Sequence, residues 1–140
     1  MTQSQPVVGS GDSELDQRLS DELDAYNGAA TRGVAPAEEL TVRIDENGKL
    51  LAGASGWTWG QAAGIAMTWV DAEQRGSGLG SALLQAFEGE ARRRGCTHVF
   101  VTSFTFQAPA FYQRNGYREM FRWEGVPTPG LDDVHMRKDL

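Results

Sequence analysis

Three features are scarce in this chain of 140 residues, and each scarcity excludes a class of protein. The single cysteine, Cys96, excludes an internal disulfide and a cysteine-based metal cluster. No apolar run approaches the roughly 20 residues of a membrane-spanning helix. Basic residues number 13 against 19 acidic ones, so the net charge of −6 argues against nonspecific nucleic-acid binding, which needs basic patches. The sequence predicts no nucleic-acid partner and no membrane partner.

What is present suits one globular domain. The hydrophobic fraction is 40% and the charged fraction is 23%, which are ordinary values for such domains. The first twelve residues are polar and lack the basic start and apolar core of a secretion signal. We therefore expect a flexible tail over residues 1–12, one domain over residues 13–140 and a cytoplasmic location.

The first half of the chain predicts a helix followed by a hairpin. Ser13 and Asp16 resemble a capping box. The Asn47-Gly48 pair between two alternating segments is typical of a tight hairpin turn. After the capping box, four side chains share one helical face: Leu15, Leu19, Leu23 and Tyr26.

The second half alternates strands with helices. A strand over 62–70 precedes the clearest helix, whose apolar stripe advances by four residues. A buried strand over 97–104, a short helix opened by Pro109 and two further strands follow. Helices between some strands and hairpins between others indicate a mixed sheet in an α/β (α+β) domain. The stripe consists of Leu79, Leu83, Phe87 and Ala91.

The segment RGSGLGS, residues 75–81, lies where the long helix should begin. A helix start leaves four backbone N–H groups unpaired and carries a partial positive charge. Gly76, Gly78 and Gly80 put no Cβ in front of those groups, and Arg75 adds a cation. The segment therefore predicts a phosphate or diphosphate site, although a tight strand-to-helix turn would also use glycines. The spacing fits neither the dinucleotide-binding pattern nor the P-loop.

Two motifs, in this order, resemble the GNAT N-acetyltransferase superfamily. Residues 75–80 fit its Arg/Gln-x-x-Gly-x-Gly/Ala signature, and FYQRNGY, residues 111–117, fits Phe/Leu-Tyr-x-x-x-Gly-Phe/Tyr. Ala108 stands where an alanine is common, whereas Thr105 replaces an asparagine found in many members. The resemblance covers nearly the whole chain. It implies a mixed, mostly antiparallel central sheet with a splayed strand pair and flanking helices.

The resemblance also implies a reaction. Acetyl-CoA would be the donor, no metal would take part, and a neutral amine would attack the thioester directly in a ternary complex. The diphosphate would lie on the N–H groups of residues 75–81, the pantetheine arm would pair with the strand end, and Tyr112 would act as general acid toward the leaving thiolate. The implied cofactor-binding residues are Trp69, Val70, Arg75, Gly76, Ser77, Gly78, Gly80, Ser81 and Tyr112.

The base and the acceptor pocket have several candidates. Asp71 and Glu73 follow the strand end and are candidate bases, and a solvated loop explains them equally well. His98 and His135 are more often structural or exposed, so neither is assigned. At least half of the aromatic candidates for the pocket should be core residues. Those candidates are Tyr26, Trp57, Trp69 and Phe104, together with Trp59, Phe106 and Trp123; Asp132 and Asp133 can attract a cationic amine.

The leading prediction is an N-acetyltransferase for a primary amine of a small molecule, cationic or antibiotic-like. Two alternatives stay open: an enzyme that acetylates a protein lysine or N-terminus, and a CoA-binding module without turnover. A homodimer is an expectation at the level of the family.

Overall fold

A computed structural model describes residues 4–140. These residues form two compact units, one that ends at Pro36 and one that spans Ala37–Leu140. No helix within residues 4–140 is long and apolar enough to cross a membrane.

The first unit contains one helix, α1 (Ser13–Ala30). Its N-cap is Asp12, whose carboxylate accepts a hydrogen bond of 2.9 Å from the Leu15 N–H. The prediction of a capping box at Ser13 is therefore wrong by one residue, because the charged Asp12 side chain satisfies that N–H and also suits the helix dipole. No residue of α1 is buried, and Tyr26 is 73% exposed.

The second unit carries a six-stranded sheet with the strand order β1-β2-β3-β4-β6-β5. Every neighbouring pair is antiparallel except β3 and β4, which confirms the predicted mixed, mostly antiparallel sheet. The elements are β1 (Glu38–Glu46), β2 (Lys49–Trp59), β3 (Ala62–Val70), a 3₁₀ turn (Ala72–Gln74), α2 (Leu79–Arg93), β4 (His98–Phe104), α3 (Pro109–Arg114), β5 (Arg118–Glu124) and β6 (Asp132–Asp139).

The β1–β2 hairpin turns at Asn47 and Gly48, as predicted. Both residues have positive φ, 51° and 79°, as a two-residue turn between twisted strands requires. The core lies between the sheet and α2, which buries Leu83, Phe87 and Ala91 of the predicted stripe and half-buries the fourth residue, Leu79.

One face of β4 is buried in the core and the other is open. Val99, Val101 and Ser103 face the core, whereas Phe100 and Thr102 are exposed. The prediction of a strand here is confirmed. Its burial alternates with the period of two that is typical when only one sheet face is covered.

The parallel pair β3–β4 ends early and leaves a fork in the sheet. Its register runs from Ala62 opposite His98 to Ile65 opposite Val101 and goes no further. On the other edge of β3, pairing with β2 continues as far as Val70, after a register shift that leaves Ala66 as an extra residue. The splayed strand pair that the resemblance implied is therefore present.

Candidate active site

The fork opens into a cleft of about 880 Å³. Four segments line it: the end of β3, the turn before α2, the end of β4 and the short helix α3. The glycine segment and Tyr112, which are far apart in the sequence, thus border one cavity. Of the predicted cofactor-binding residues, the cleft is lined by Trp69, Val70, Arg75, Gly76, Gly78, Gly80, Ser81 and Tyr112.

Gly76 and Gly78 keep the space in front of α2 open. Their φ angles are +82° and +87°, a region in which an L side chain is strained. A Cβ built on either residue would meet no atom within 4 Å. The surrounding packing therefore leaves room beside the helix start, and the backbone there uses a conformation that suits glycine.

The backbone N–H groups at this helix start are largely unpaired. Within residues 4–140, no acceptor takes the N–H of Gly76 or Gly78, nor the N–H groups of residues 79–81. The first bond of α2 runs from Ala82 N to Gly78 O at 3.1 Å. A group of unpaired donors at the positive end of a helix dipole can donate hydrogen bonds to an anion, as the sequence predicted for a phosphate.

Two of the seven predicted N–H donors are already engaged. Arg75 N donates to Ala72 O at 3.4 Å, and Ser77 N donates to Gln74 O at 3.3 Å. These bonds form the turn that leads from β3 into α2. The structure thus offers five unpaired donors in this segment rather than seven.

Gly80 and Arg75 hold the segment against its neighbours. A Cβ on Gly80 would lie 2.9 Å from the Phe111 ring and 3.6 Å from Val70 Cγ2, so this glycine allows α2 to approach α3 closely. Arg75 Nε donates a hydrogen bond of 3.3 Å to Val70 O at the end of β3. The guanidinium therefore lies beside the end of β3.

Tyr112 is buried, with 8% of its surface exposed, and it borders the cleft. Its ring meets those of Phe111 and Tyr117 edge to face, at centroid distances of 5.2 and 5.8 Å. Its hydroxyl makes no hydrogen bond to any group in residues 4–140. The hydroxyl oxygen is also not one of the fully buried polar atoms in that range, so it is partly accessible. The hydroxyl is therefore available to a ligand in the cleft.

A hydrogen-bonded cluster contacts the Tyr112 ring through Tyr117; it consists of Glu88, Tyr117 and Lys138. Glu88 is 2% exposed and accepts hydrogen bonds from Tyr117 Oη at 2.9 Å and from Lys138 Nζ at 2.8 Å. Burial raises the pKa of Tyr117 far above its usual range, and the negative charge of Glu88 raises it further. Tyr117 is therefore a fixed donor and does not ionise in the folded protein.

The two candidate bases lie outside the walls of the cleft. Asp71 is paired with Lys49, with 3.3 Å between Oδ2 and Nζ, at the β2 end of the hairpin. That oxygen is within ion-pair distance but lacks hydrogen-bond geometry. Glu73 is exposed on the 3₁₀ turn.

The aromatic candidates separate into those at the cleft and those elsewhere. Trp69, Phe104 and Phe106 line it, and the last two rings are stacked at 5.3 Å. Trp57 covers Gly64 on the open face of the sheet, where any Cβ would collide with the indole. Tyr26 belongs to the first unit, on α1.

The sequence assigns no role to His135 and names Asp133 only as a group that can attract a cationic amine, but the structure pairs the two residues. His135 Nε2 lies 3.0 Å from Asp133 Oδ2, and the imidazole stacks on Phe121 with 4.4 Å between ring centroids. Alternation in the segment DVHMRK places Asp133 and His135 on one face of a strand. The sequence does not reveal that this strand pairs with β4.

Thr105, the position at which the sequence departs from the pattern it resembles, is hydrogen-bonded to the start of β6. Its N–H donates to Asp132 O at 2.9 Å, and its hydroxyl accepts from Asp132 N at 3.1 Å. This residue therefore fixes the end of β4 to the start of β6.

Comparison with known proteins gives consistent matches. Residues 10–117 match the family described as Acetyltransferase (GNAT) family. The chain is 44% identical over 101 residues to a blasticidin-S acetyltransferase from Streptomyces morookaense, which covers 71% of this chain and 74% of that protein.

Solved structures share the fold. An acetyltransferase from Bacillus cereus ATCC 14579 is 31% identical, with a TM-score of 0.83 over 96% of this chain and 98% of its own. An aminoglycoside 6'-N-acetyltransferase complexed with coenzyme A is 16% identical, with a TM-score of 0.66 over 91% of this chain and 92% of its own. At that identity the second likeness shows the fold alone.

Proposed function

This chain belongs to the GNAT acetyltransferase family, and we propose that it transfers the acetyl group of acetyl-CoA to a primary amine of a small molecule. The name of the Streptomyces relative, a blasticidin-S acetyltransferase at 44% identity, supports an antibiotic-like amine as acceptor. The acetyltransferase activity itself follows from the family. The donor, the acceptor class and the roles of individual residues are the proposal.

The observation that supports acetyl-CoA as the acetyl donor is a set of five unpaired backbone N–H groups between residues 76 and 81. These groups lie at the mouth of the fork. The diphosphate of coenzyme A would accept from these donors, and the helix dipole adds to the attraction. Gly76 and Gly78 leave the required space. Arg75 adds a positive charge, and a protein of the same fold has been crystallised with coenzyme A.

The free edge of β3 would hold the pantetheine arm. Beyond Ile65, no strand within residues 4–140 pairs with the edge of β3 that faces the cleft. An extended chain with amide groups can add to such an edge as another strand would. Trp69 and Val70 end this edge, so the arm would run from the fork toward the glycine segment.

Tyr112 would protonate the thiolate that leaves when the thioester breaks. A thiolate is a weaker base than a phenolate, so positioning and concerted transfer must help the proton to move. The phenol hydroxyl is unengaged by its neighbours and borders the cleft. In this ternary complex the amine would attack the thioester directly, without an acetylated enzyme.

The test is a screen of amines with acetyl-CoA that records free thiol and the mass of the product. Blasticidin S, an aminoglycoside and a lysine-containing peptide represent the main acceptor classes. We expect thiol release and one added acetyl group with at least one small-molecule amine. Reaction with the peptide alone would favour a protein acetyltransferase, and saturable CoA binding without thiol release would favour a binding module.

A further inference from the structure

His135 and Asp133 lie one strand away from the fork. In the β4–β6 pair, His135 is opposite Thr102 and Asp133 is opposite Phe104. Thr102 and Phe104 both line the cleft, directly beyond the last β3–β4 pair. Directly opposed residues of an antiparallel pair share a face, with Cβ atoms about 4.5–5.5 Å apart. The two polar side chains therefore lie next to two residues that line the cleft, while neither of them lines it in the unliganded structure.

The imidazole is held in one orientation. Asp133 Oδ2 lies 3.0 Å from Nε2, and the Phe121 ring lies parallel to the imidazole within 17°. A carboxylate at that distance accepts from a protonated Nε2, so the other nitrogen, Nδ1, carries the lone pair. Nδ1 has no hydrogen-bond partner among residues 4–140, and 28% of the side chain is exposed.

The carboxylate can stabilise the positive charge of a protonated imidazole. Asp133 Oδ1 is buried and has no hydrogen-bond partner among residues 4–140. Since water solvates this carboxylate poorly, the adjacent imidazolium is the favourable counter-charge. An oriented imidazole supported by a buried carboxylate is a common arrangement for general-base catalysis.

Other charges near His135 are already paired. Arg137, two residues along β6, binds Asp139 at 2.8 Å, and Arg118 on β5 binds the same carboxylate at 3.0 Å. The facing residues of β4, Thr102 and Phe104, carry no charge. Asp133 is therefore the charged group in direct contact with the imidazole.

We propose that His135 is the catalytic base of the acetyl transfer and that Asp133 is its positioning residue, an inference that depends on the function proposed above. His135 Nδ1 takes one proton from the acceptor ammonium, and the freed lone pair forms the C–N bond. The C–S bond then breaks, and Tyr112 gives its proton to the sulfur. As the amide forms, the second proton of the nitrogen restores the Tyr112 hydroxyl by way of solvent, and His135 releases the first proton to water. The ammonium and acetyl-CoA thus yield the acetamide, free coenzyme A and one proton.

The chain offers a matched control, because it contains two histidines. His98 lies at the opposite end of β4, opposite Asp139, and contacts Thr97 and Phe100. We expect His135→Asn to lower kcat about 100-fold, the low end for loss of a general base, with the KM for acetyl-CoA unchanged. His98→Asn should keep the parental kcat.

The pH profile separates a base from a structural residue. With blasticidin S as acceptor, kcat/KM of the parent should fall on the acidic side of the profile, where protonation removes the lone pair of a general base. His135→Asn should lose this acidic limb, and His98→Asn should keep it. Asp133→Asn should lower kcat by about tenfold, and Asp133→Glu should recover part of the loss. An unchanged limb in His135→Asn would overturn the proposal.

A binding measurement keeps this inference separate from the proposed function. The ring signals of the two histidines can be followed by NMR while blasticidin S is added to the protein with coenzyme A. The His135 signals should shift and the His98 signals should not. A parent enzyme that releases no thiol with any amine would refute the proposed function. An unmoved His135 signal, or full activity of His135→Asn, would refute the base assignment.

Discussion

Tyr117 donates its hydroxyl hydrogen to Glu88 Oε2 across 2.9 Å, and this bond ties the third turn of α2 to the segment between α3 and β5. The two residues are 29 positions apart in the chain. Lys138 adds β6 to the same carboxylate at 2.8 Å. Since Tyr117 also contacts Tyr112, the cluster connects the helix that begins at the glycine segment with the proposed acid.

Replacing Tyr117 by phenylalanine should destabilise the protein. The ring would remain, but Glu88 would lose one of its two partners in a buried position. Hydrogen bonds to charged groups contribute about 1.5–3 kcal/mol, so we expect a loss of about 2 kcal/mol in the free energy of unfolding. Urea denaturation measures it.

The control is Tyr26→Phe, which removes a hydroxyl from an exposed tyrosine on α1. Its unfolding curve should coincide with that of the parent. Equal stability of Tyr117→Phe and the parent would mean that the buried bond contributes nothing.

Replacing Tyr112 by phenylalanine should lower turnover more than cofactor affinity. The ring fills the same space between Phe111 and Tyr117, while the proton for the thiolate is lost. General acid catalysis contributes about 10²–10⁴, so kcat should fall at least 100-fold. Steady-state kinetics and calorimetric titration with coenzyme A give the two quantities. A parental kcat at every pH would make Tyr112 a purely structural residue.

A side chain at position 78 should weaken the binding of coenzyme A. Gly78→Val places a branched side chain in open space beside the unpaired N–H groups, where the diphosphate is proposed to lie. We expect at least a tenfold rise in the dissociation constant, equivalent to about 1.4 kcal/mol.

Gly95→Val controls for backbone strain. Gly95 has a φ of +90° and equally open surroundings, but it follows the other end of α2. The two variants should lose similar stability, while Gly95→Val keeps the parental affinity. Equal affinities of both variants for coenzyme A would contradict the proposed phosphate site.

Cys96 should be nearly inert in the folded protein. It is 5% exposed, and burial raises the pKa of its thiol, which leaves little of the reactive thiolate at pH 8. A thiol-specific chromogenic reagent should label it slowly in buffer and at once in concentrated urea. Stoichiometric labelling of the native protein within seconds would contradict this. Slow labelling also means that free coenzyme A can be measured without interference from the enzyme.

Features set by local chemistry were predictable from the sequence. Asn47 and Gly48 adopt the positive φ angles of a tight turn, which these residue types favour in any context. The glycines before α2 likewise leave the helix start uncovered by side chains, independently of tertiary contacts. The cap at Asp12 instead of Ser13 was missed because neighbouring polar side chains compete for the same N–H groups.

Features that depend on strand register were not predictable. The approach of His135 to the cleft requires β6 to pair with β4, whose nearest residues lie 28 positions earlier in the sequence. Glu88 on α2 had no signal of burial, because its partners Tyr117 and Lys138 come from two distant elements. Local pattern specifies the unpaired N–H groups of the glycine segment, whereas tertiary pairing assembles the proposed base and its neighbours.

The sheet consists of two three-stranded antiparallel halves, β1-β2-β3 and β4-β6-β5, which are joined along four residue pairs between Ala62 and Ile65. The length of this seam determines how deep the cleft reaches. Each further β3–β4 residue pair would lengthen the seam by about 3.3 Å and would shorten the cleft, which is proposed to hold the thioester, by the same amount. The extra residue Ala66 follows directly after this seam, so β3 shifts its register with β2 at the point where its pairing with β4 ends.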